Sequence, residues 1–166
     1  MEFEYRAVRT EEDIREAFGV YESNREYFEI VSHKEPGIGD VRRDMVDRPE
    51  GLEAERKFYG LFLLDGEVVG LEDILAGFPE RDVLYIGLFM IRGERHREGL
   101  GRELIGFLER KAREQGYGRI RLGVVEENRK GLAFWESMGF VRLKRVESCG
   151  NPDVQGAVLV MVKDLT

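Results

Sequence analysis

A basic, glycine-bearing stretch at residues 92–103 contains the residue types best suited to bind an anion. The apolar run at residues 83–91 precedes it and has the length and the β-branched and aromatic content of a buried strand. After it, Leu100, Leu104 and Leu108 recur at four-residue spacing, which predicts one face of a helix. The first amides of a helix have no intrahelical partner. We therefore expect a phosphate site where the strand turns into the helix.

The Gly-x-Gly sequence in this stretch, formed by Gly99 and Gly101, is not specific by itself. Glycines at such a junction can serve only the turn and close helix packing. A Walker loop is excluded because no Gly-Lys-Ser/Thr follows. A dinucleotide fingerprint is excluded because Leu104 stands where a third glycine or alanine belongs, and because the motif does not follow the first strand.

A second segment, residues 128–140, directly follows another predicted strand. Its structural interpretation is an amphipathic helix with Asn128 as the N-cap and Leu132, Trp135 and Met138 in the core. The two strands that precede the two segments are joined through a helix, so they are expected to be parallel neighbours. This pairing favours a functional role for both segments.

The hydrophobic pattern predicts one mixed α/β domain over residues 1–166, without repeats or linkers. A hairpin turn at Asp65-Gly66 joins two of its strands. Asp40 is expected to cap an early helix, and Glu109 to pair with Arg113 one turn further along a later helix. The predicted strands are residues 3–8, 58–64, 67–75, 83–91, 120–125, 140–147 and 157–162. One helix is predicted after Thr10, one around Tyr27 to Val31 and one after Asp40. Two further helices are predicted at residues 101–115 and 128–138.

Composition restricts the partners. The chain has 166 residues and a formal net charge of -7, which argues against a general nucleic-acid binder. No apolar run is long enough for a membrane helix, and the start of the chain lacks the pattern of a secretory leader, so we expect a soluble cytoplasmic protein. One cysteine, Cys149, excludes an internal disulfide, and with two histidines no metal-ligand spacing is present.

Residues 58–140 resemble the GCN5-related N-acetyltransferase (GNAT) family. The family's first motif, Gln/Arg-x-x-Gly-x-Gly/Ala, corresponds here to residues 96–101, and the strand before it is similar to the family's fourth strand. The family's second motif begins with Asn, continues through Phe/Leu-Tyr-Glu and ends in Gly-Phe. The matching residues are Asn128, Phe134, Glu136, Gly139 and Phe140.

The resemblance implies an acyl-CoA N-acyltransferase fold, with a mixed, mostly antiparallel sheet of about seven strands, a central parallel pair and about four flanking helices. It also implies acetyl-CoA as cofactor, with its pyrophosphate on the loop amides and its pantetheine on the backbone of Phe89 and Ile91. The residues expected to bind the cofactor are Phe89, Met90, Ile91, His96, Arg97, Glu98, Gly99, Leu100, Gly101, Arg102, Asn128, Phe134 and Trp135.

Two residues depart from the family pattern. His96 replaces the first Gln or Arg of the loop, but the backbone amides and the neighbouring Arg95, Arg97 and Arg102 can still bind phosphate. Trp135 stands where many members carry a tyrosine that protonates the leaving thiolate, and an indole N–H is not a useful acid. Since a thiol has a pKa of about 8.5, the thiolate can also leave unaided or take a proton from water.

The implied reaction is acetyl transfer from acetyl-CoA to a primary amine, which needs a base because such an amine is mostly protonated at neutral pH. Glu72, Asp73 and Glu126 are the candidate bases, and strand alternation allows only one of Glu72 and Asp73 to face the cleft. Tyr27 and Tyr85 are candidate lining residues of an acceptor pocket.

Four properties stay open: the acyl group, catalysis itself, the oligomeric state and the acceptor. The acyl group can be longer than acetyl. The chain can instead be a CoA-binding sensor or interaction domain without catalysis, an alternative that Trp135 keeps open. A homodimer is possible. The resemblance assigns the acceptor to residues 21–40 and 148–156, which match no motif that identifies it.

Overall fold

The computed structural model describes residues 2–166. The seven strands are β1 (Phe3–Ala7), β2 (Lys57–Leu64), β3 (Glu67–Ala76), β4 (Val83–Ile91), β5 (Arg119–Val125), β6 (Val141–Val146) and β7 (Val158–Asp164). The helices are α1 (Glu11–Glu22), α2 (Arg25–Ser32), α3 (Ile38–Asp44), α4 (Leu100–Glu114) and α5 (Arg129–Ser137). Short 3-10 turns lie at Ala54–Arg56 and Gly93–Arg95.

The strands form one sheet in the order β1-β2-β3-β4-β5-β7-β6. Among these strands β4 and β5 are parallel, and all other neighbours are antiparallel. This confirms the predicted α/β fold with a mixed seven-stranded sheet and a central parallel pair. The described residues contain five α-helices, and these include the two short helices that the hydrophobic pattern predicts at Tyr27–Val31 and after Asp40.

The helices cover both faces of the sheet. α1 and α3 pack on one face through residues such as Ala17, Val20 and Val41, which share a core with the inward residues of β2 and β3. α4 and α5 pack on the other face, where Ile105 and Trp135 belong to the largest apolar cluster. β2 and β3 are buried on both sides along most of their length, and β4 lies in the centre of the sheet, as its continuous apolar run predicts.

Two local expectations are wrong. Asp40 is not the N-cap of α3, because the helix begins at Ile38 and the Asp40 carboxylate accepts a hydrogen bond from the backbone N–H of Gly37 at 2.7 Å. Glu109 does not pair with Arg113. It forms an ion pair with Lys163 of β7, while Arg113 donates to the carbonyl of Leu165 at 3.0 Å. In the folded chain, Asp40 and Glu109 therefore have partners that differ from those predicted by local spacing.

Candidate active site

A gap opens in the middle of the sheet. β4 and β5 pair only through Val83–Ile86 and Arg119–Leu122, although β4 continues to Ile91 and β5 to Val125. Beyond the last pair the two strands separate, so the facing backbone edges are no longer joined to each other. Strand edges of this kind can bind an extended ligand that carries amide groups.

The backbone of β4 alternates between β3 and this gap. The N–H of Arg92 donates to the carbonyl of Val69 on the β3 side, at 2.7 Å. Alternation therefore directs the backbone groups of Phe89 and Ile91 to the gap, and those of Met90 to β3. The side chain of Met90 is buried in the core beneath α1, so Met90 contributes packing at this position.

The Ile91 carbonyl already has protein partners. It accepts hydrogen bonds from the side-chain amide of Asn24 at 3.0 Å and from the ring of His96 at 2.8 Å. The His96 ring thus folds back onto the end of β4. This hydrogen bond joins the loop to the end of β4, and it requires an N–H donor on the His96 ring but no charge.

The loop before α4 has the geometry of an anion site. Arg97 and Gly99 adopt left-handed backbone conformations, with φ of 67° and 79°. Gly99 is the N-cap of α4 and provides no side-chain cap, and the first helical bond is donated by Glu103. The amides of Leu100, Gly101 and Arg102 therefore have no intrahelical acceptor, and the helix dipole adds positive potential where they lie.

The arginines around this loop differ in their availability. Arg95 is ion-paired with Glu98 at 3.0 Å, so its charge is largely neutralised. Arg102 donates to the hydroxyl of Ser137 at 3.3 Å. Within residues 2–166, Arg97 and Arg102 have no carboxylate partner in ion-pair range. These two arginines and the helix amides together have the chemistry to bind an anion such as a phosphate group.

The second motif, residues 128–140, contains α5, which packs against the start of α4. Asn128 accepts a hydrogen bond from the N–H of Gly131 at 3.0 Å, which confirms its role as N-cap. A Cβ added to Gly101 would lie 3.3 Å from the Phe134 ring, so this glycine permits close packing of α4 against α5. Trp135 is 9% exposed and packs edge-to-face on Phe89 and Phe134, which confirms its core role.

Two glycines lie where the strands separate. Gly87 follows the last paired residue of β4, and Gly123 follows the last paired residue of β5. A Cβ added to Gly87 would lie 3.2 Å from a carboxylate oxygen of Asp73, and one added to Gly123 would lie 3.5 Å from the Tyr85 hydroxyl. The absence of side chains at these two positions leaves a carboxylate and a hydroxyl beside the opening.

Asp73 lies in a buried polar cluster. Its carboxylate pairs with the ammonium group of Lys57 at 3.0 Å, and its side chain is 15% exposed. Burial raises the pKa of Asp73 to about 6, and the Lys57 charge opposes this rise. Asp73 is therefore mostly ionised at neutral pH, with a pKa close enough to neutrality for proton transfer.

A hydrogen-bonded network lies beside Asp73 beneath α1. The hydroxyl of Tyr21 donates to Asp44 at 2.6 Å and lies 2.8 Å from the hydroxyl of Tyr59, the register partner of Asp73 on β2. Burial raises the pKa of Asp44 above its ordinary value. At the gap itself, burial raises the pKa of Tyr85, so that hydroxyl stays protonated.

The other two candidate bases lie elsewhere. Glu72 follows the strand alternation and faces α4, on the opposite side of the sheet from Asp73. Glu126 is exposed and pairs with Arg145 at 2.9 Å, and the hydrogen bond from Arg145 holds the pKa of Glu126 below its ordinary value. The three acids therefore do not form one site.

The expected acceptor segments do meet. Residues 148–156 contact α2 through a hydrogen bond from the N–H of Gln155 to the carbonyl of Val31, at 2.8 Å. Asp153 pairs with Lys34 and with Arg43, each at 2.9 Å. Tyr27 packs beside Val31 in a small cluster that also joins the ends of β5 and β7. The late loop and the early helices thus form one wall on the Asp73 side of the sheet.

The sequence alone does not identify Lys57, Gly87, Gly123 or the Tyr21–Tyr59–Asp44 network as parts of this site. The glycines carried a usable indication, because glycine inside an apolar strand often marks a bulge or a close approach. The pairing of β3 with β4 is indeed irregular next to Asp73. Lys57 and the network depend on contacts between distant segments, so no local pattern predicts them.

Two other features, a membrane-spanning helix and a metal-binding cluster, are absent from residues 2–166. None of the described helices is both long and apolar enough to cross a membrane. The same part of the chain contains no group of three or more His, Cys, Asp or Glu residues placed to hold a metal ion.

Solved structures with the same fold cover nearly the whole chain. An acetyltransferase from Thermus thermophilus is 27% identical, with a TM-score of 0.74 over 99% of this chain and 97% of the other. The ribosomal-protein-S18-alanine N-acetyltransferase of Escherichia coli is 14% identical, with a TM-score of 0.66 over 99% and 95%. The ribosomal-protein-alanine N-acetyltransferase of Brucella melitensis is 18% identical, with a TM-score of 0.67 over 96% and 98%.

No curated protein sequence gives a significant match. The sequence model described as the acetyltransferase (GNAT) family matches residues 17–140, which include the gap, the loop before α4 and the second motif. The chain therefore belongs to the GNAT acetyltransferase family.

Proposed function

We propose that the protein transfers an acetyl group from acetyl-CoA to a primary amine. The observation that carries this proposal is the position of Asp73 beside the gap, with the uncapped end of α4 at the far end of β4. Bound acetyl-CoA would supply the acyl group as a thioester. The residues proposed to hold it are the amides of residues 100–102, Arg97 and Arg102, and the backbone of Phe89 and Ile91.

Asp73 is proposed as the base. An aliphatic amine with a pKa of about 10.4 reaches the site mostly as its ammonium form, so a proton must be removed before its nitrogen can attack. The Asp73 carboxylate, with its pKa raised to about 6, can accept that proton directly or through a water molecule. The nearby Asp44 is a second acidic side chain on this face, and acidic side chains suit a cationic acceptor.

Tyr85 is proposed to line the acceptor pocket and to be the hydroxyl nearest the departing thiolate. Its neutral O–H can donate a hydrogen bond near Gly123, where the two strands separate. Trp135 cannot serve as the acid, because its indole is buried among Phe89, Phe134 and Phe140.

A second candidate function is a CoA-binding sensor without catalysis, which the tryptophan at position 135 favours. The two functions are separated by mixing purified protein with acetyl-CoA and a panel of polyamines, amino acids, aminoglycosides and N-terminal peptides while free thiol is measured. Thiol release that depends on one class of amine supports the transferase. Tight CoA binding without thiol release for any acceptor contradicts it and supports the sensor. Repeating the assay with longer acyl-CoA donors tests the acyl length.

A further inference from the structure

A second concave surface lies far from the proposed CoA loop. It is a groove of about 690 Å³ between the second half of α4 and the sheet face formed by β1–β4, and we call it the α4 groove. Its walls include Tyr5, Phe58, Phe107 and Tyr117, and Glu72 also lines it. The helix rises about 1.5 Å per residue, so Phe107 lies roughly 10 Å along the axis from the uncapped amides at Leu100.

Glu72 is the unusual group in this groove. Its side chain is almost fully buried, at 7% exposure, and one carboxylate oxygen has no hydrogen-bond partner within residues 2–166. Buried polar groups are nearly always paired, so an unpaired carboxylate oxygen on a residue that lines a cavity points to a ligand. The proposed acetyl transfer does not use this residue, which faces away from Asp73.

The residue paired with Glu72 on the neighbouring strand has no side chain. This residue is Gly60, on β2. A Cβ at Gly60 would lie 2.3 Å from the Tyr5 ring, so the ring occupies the space of the missing side chain. Tyr5 and Phe58 nevertheless remain 41% and 45% exposed. Two aromatic rings therefore stay accessible next to a buried carboxyl.

The cations around the groove are already paired with protein carboxylates, whereas two of its carboxyl groups are not paired within residues 2–166. Arg56 is paired with Glu53 at 3.0 Å, and Lys111 lies 3.7 Å from Glu114 and 5.7 Å from the centre of the Phe107 ring. Both cations thus already have partners on the protein. Glu55 and Glu72 have no ion-pair partner in the described part of the chain. Aromatic faces beside an unpaired carboxyl are the usual environment of a bound organic cation.

We propose that the α4 groove binds an organic ammonium ion with an apolar or aromatic body, with Glu72 as its counter-charge and the aromatic walls as its cage. This site is separate from the acyl-transfer site and does not depend on the proposed function.

Benzyltrimethylammonium is a suitable probe, because it keeps its charge at every pH and has no N–H that could be acetylated. We expect calorimetry to show binding of one probe per chain, with an affinity at least tenfold above that of the uncharged 2-phenylethanol. Saturating CoA should change the probe's affinity by less than twofold. No binding, or loss of binding when CoA is present, would overturn the proposal.

Glu72→Gln should weaken probe binding at least tenfold, and Phe58→Ala should weaken it severalfold. Glu4→Gln is the matched control, since it removes the same charge from an exposed position of β1 whose register partner, Leu63, packs on the other face of the sheet. Glu4→Gln should leave the affinity unchanged. An unchanged affinity in a folded Glu72→Gln protein, or an equal loss in Glu4→Gln, would place the probe elsewhere and overturn the assignment.

A proton readout gives an independent test. Burial raises the pKa of Glu72 to about 8, with the Asp73 charge as a second cause, so binding a cation at pH 7 must release a proton. The affinity should then rise about tenfold from pH 7 to pH 9 in the wild type but stay flat in Glu72→Gln. A flat wild-type profile would overturn the role of Glu72. The other titratable or charged groups at the groove are Tyr5, Glu53, Glu55, Arg56, Lys111 and Tyr117.

Discussion

Asp73 and Glu72 are neighbours along β3, yet they have different surroundings. Asp73 has Lys57 as its partner and lies beside the gap, whereas Glu72 has no charged partner within residues 2–166 and faces α4. Burial is the largest cause of the raised pKa in both carboxyls, and Lys57 limits the rise for Asp73. Adjacent positions on one strand thus carry one carboxylate that is mostly ionised at pH 7 and one carboxyl that is mostly neutral.

Replacing Asp73 by Asn should reduce kcat/KM for amine acetylation by about 10² to 10⁴, the usual contribution of a general base. CoA affinity, measured by calorimetry, should stay within twofold because the carboxylate is not part of the proposed phosphate site. The wild-type kcat/KM should rise with pH through about 6, as Asp73 loses its proton. Lys57→Met should move that rise to higher pH, since Lys57 lowers the pKa. Full activity in Asp73→Asn would exclude Asp73 as the base.

Glu72 should also affect stability in a pH-dependent way. Because the folded-state pKa is raised from 4.5 to about 8, the stability associated with neutral Glu72 is present below pH 4.5 and is lost as pH rises through 8. At about 1.4 kcal/mol per pKa unit, the loss is at most about 5 kcal/mol. Urea unfolding at pH 5 and pH 9 should show a smaller decline for Glu72→Gln than for the wild type. Parallel declines would contradict this pKa.

Among the elements, α4 combines two kinds of constraint. Its first turn leaves amides free for an anion, while Leu100 and Leu104 pack under β2 and β3 in a buried cluster. Gly101 serves both, because it brings the helix start close to Phe134 and leaves the amides accessible. Unpaired amides and close packing therefore coincide in one turn of helix.

Gly101→Val should weaken CoA binding by tenfold or more. Its Cβ would lie 3.3 Å from the Phe134 ring and 3.7 Å from Ile91, so the side chain must displace the ring or shift the helix start. Gly106→Ala, in the same helix, is the control, because its Cβ would meet only the flexible end of Arg110 at 3.6 Å. Calorimetric titration with CoA measures both. Equal affinities in a folded Gly101→Val protein would rule out the loop as the phosphate site.

The molecule as a whole is built on a sheet of two antiparallel halves joined by one short parallel contact. β1–β4 form one half and β5, β7 and β6 the other, and the junction is limited to four register pairs. A ligand bound between β4 and β5 would contact both halves. CoA binding should therefore add order at the junction and stabilise the whole fold.

Hydrogen exchange can measure this effect. With CoA at about 100 times its Kd, the global free energy of unfolding should rise by about 2.7 kcal/mol. Local protection should increase most at the amides of Phe89 and Ile91, because they face the gap. The hairpin turn at Asp65 and Gly66 provides an internal control that should change little. Uniform protection without a maximum at β4 would contradict binding between the strands.

The order of elements and the glycine-bearing turn before α4 could both be predicted from the chain alone. Local periodicity is enough to predict that residues 83–91 and the leucines of α4 are buried. Gly99 and Gly101 indicate a turn that needs a left-handed residue or close packing. Asn128 likewise indicates its cap from its place before a helix. These features depend on neighbours within a few residues, so local sequence is sufficient to predict them.

The carboxyl at the gap could be identified only in the folded protein. Strand alternation restricted the choice between Glu72 and Asp73, but the assignment required the positions of Lys57 and of Gly87 on other strands. The partner of Glu109 likewise comes from β7, which is far away in sequence. The pKa of a buried carboxyl depends on the charges and solvent around it in space, and linear spacing does not contain that information.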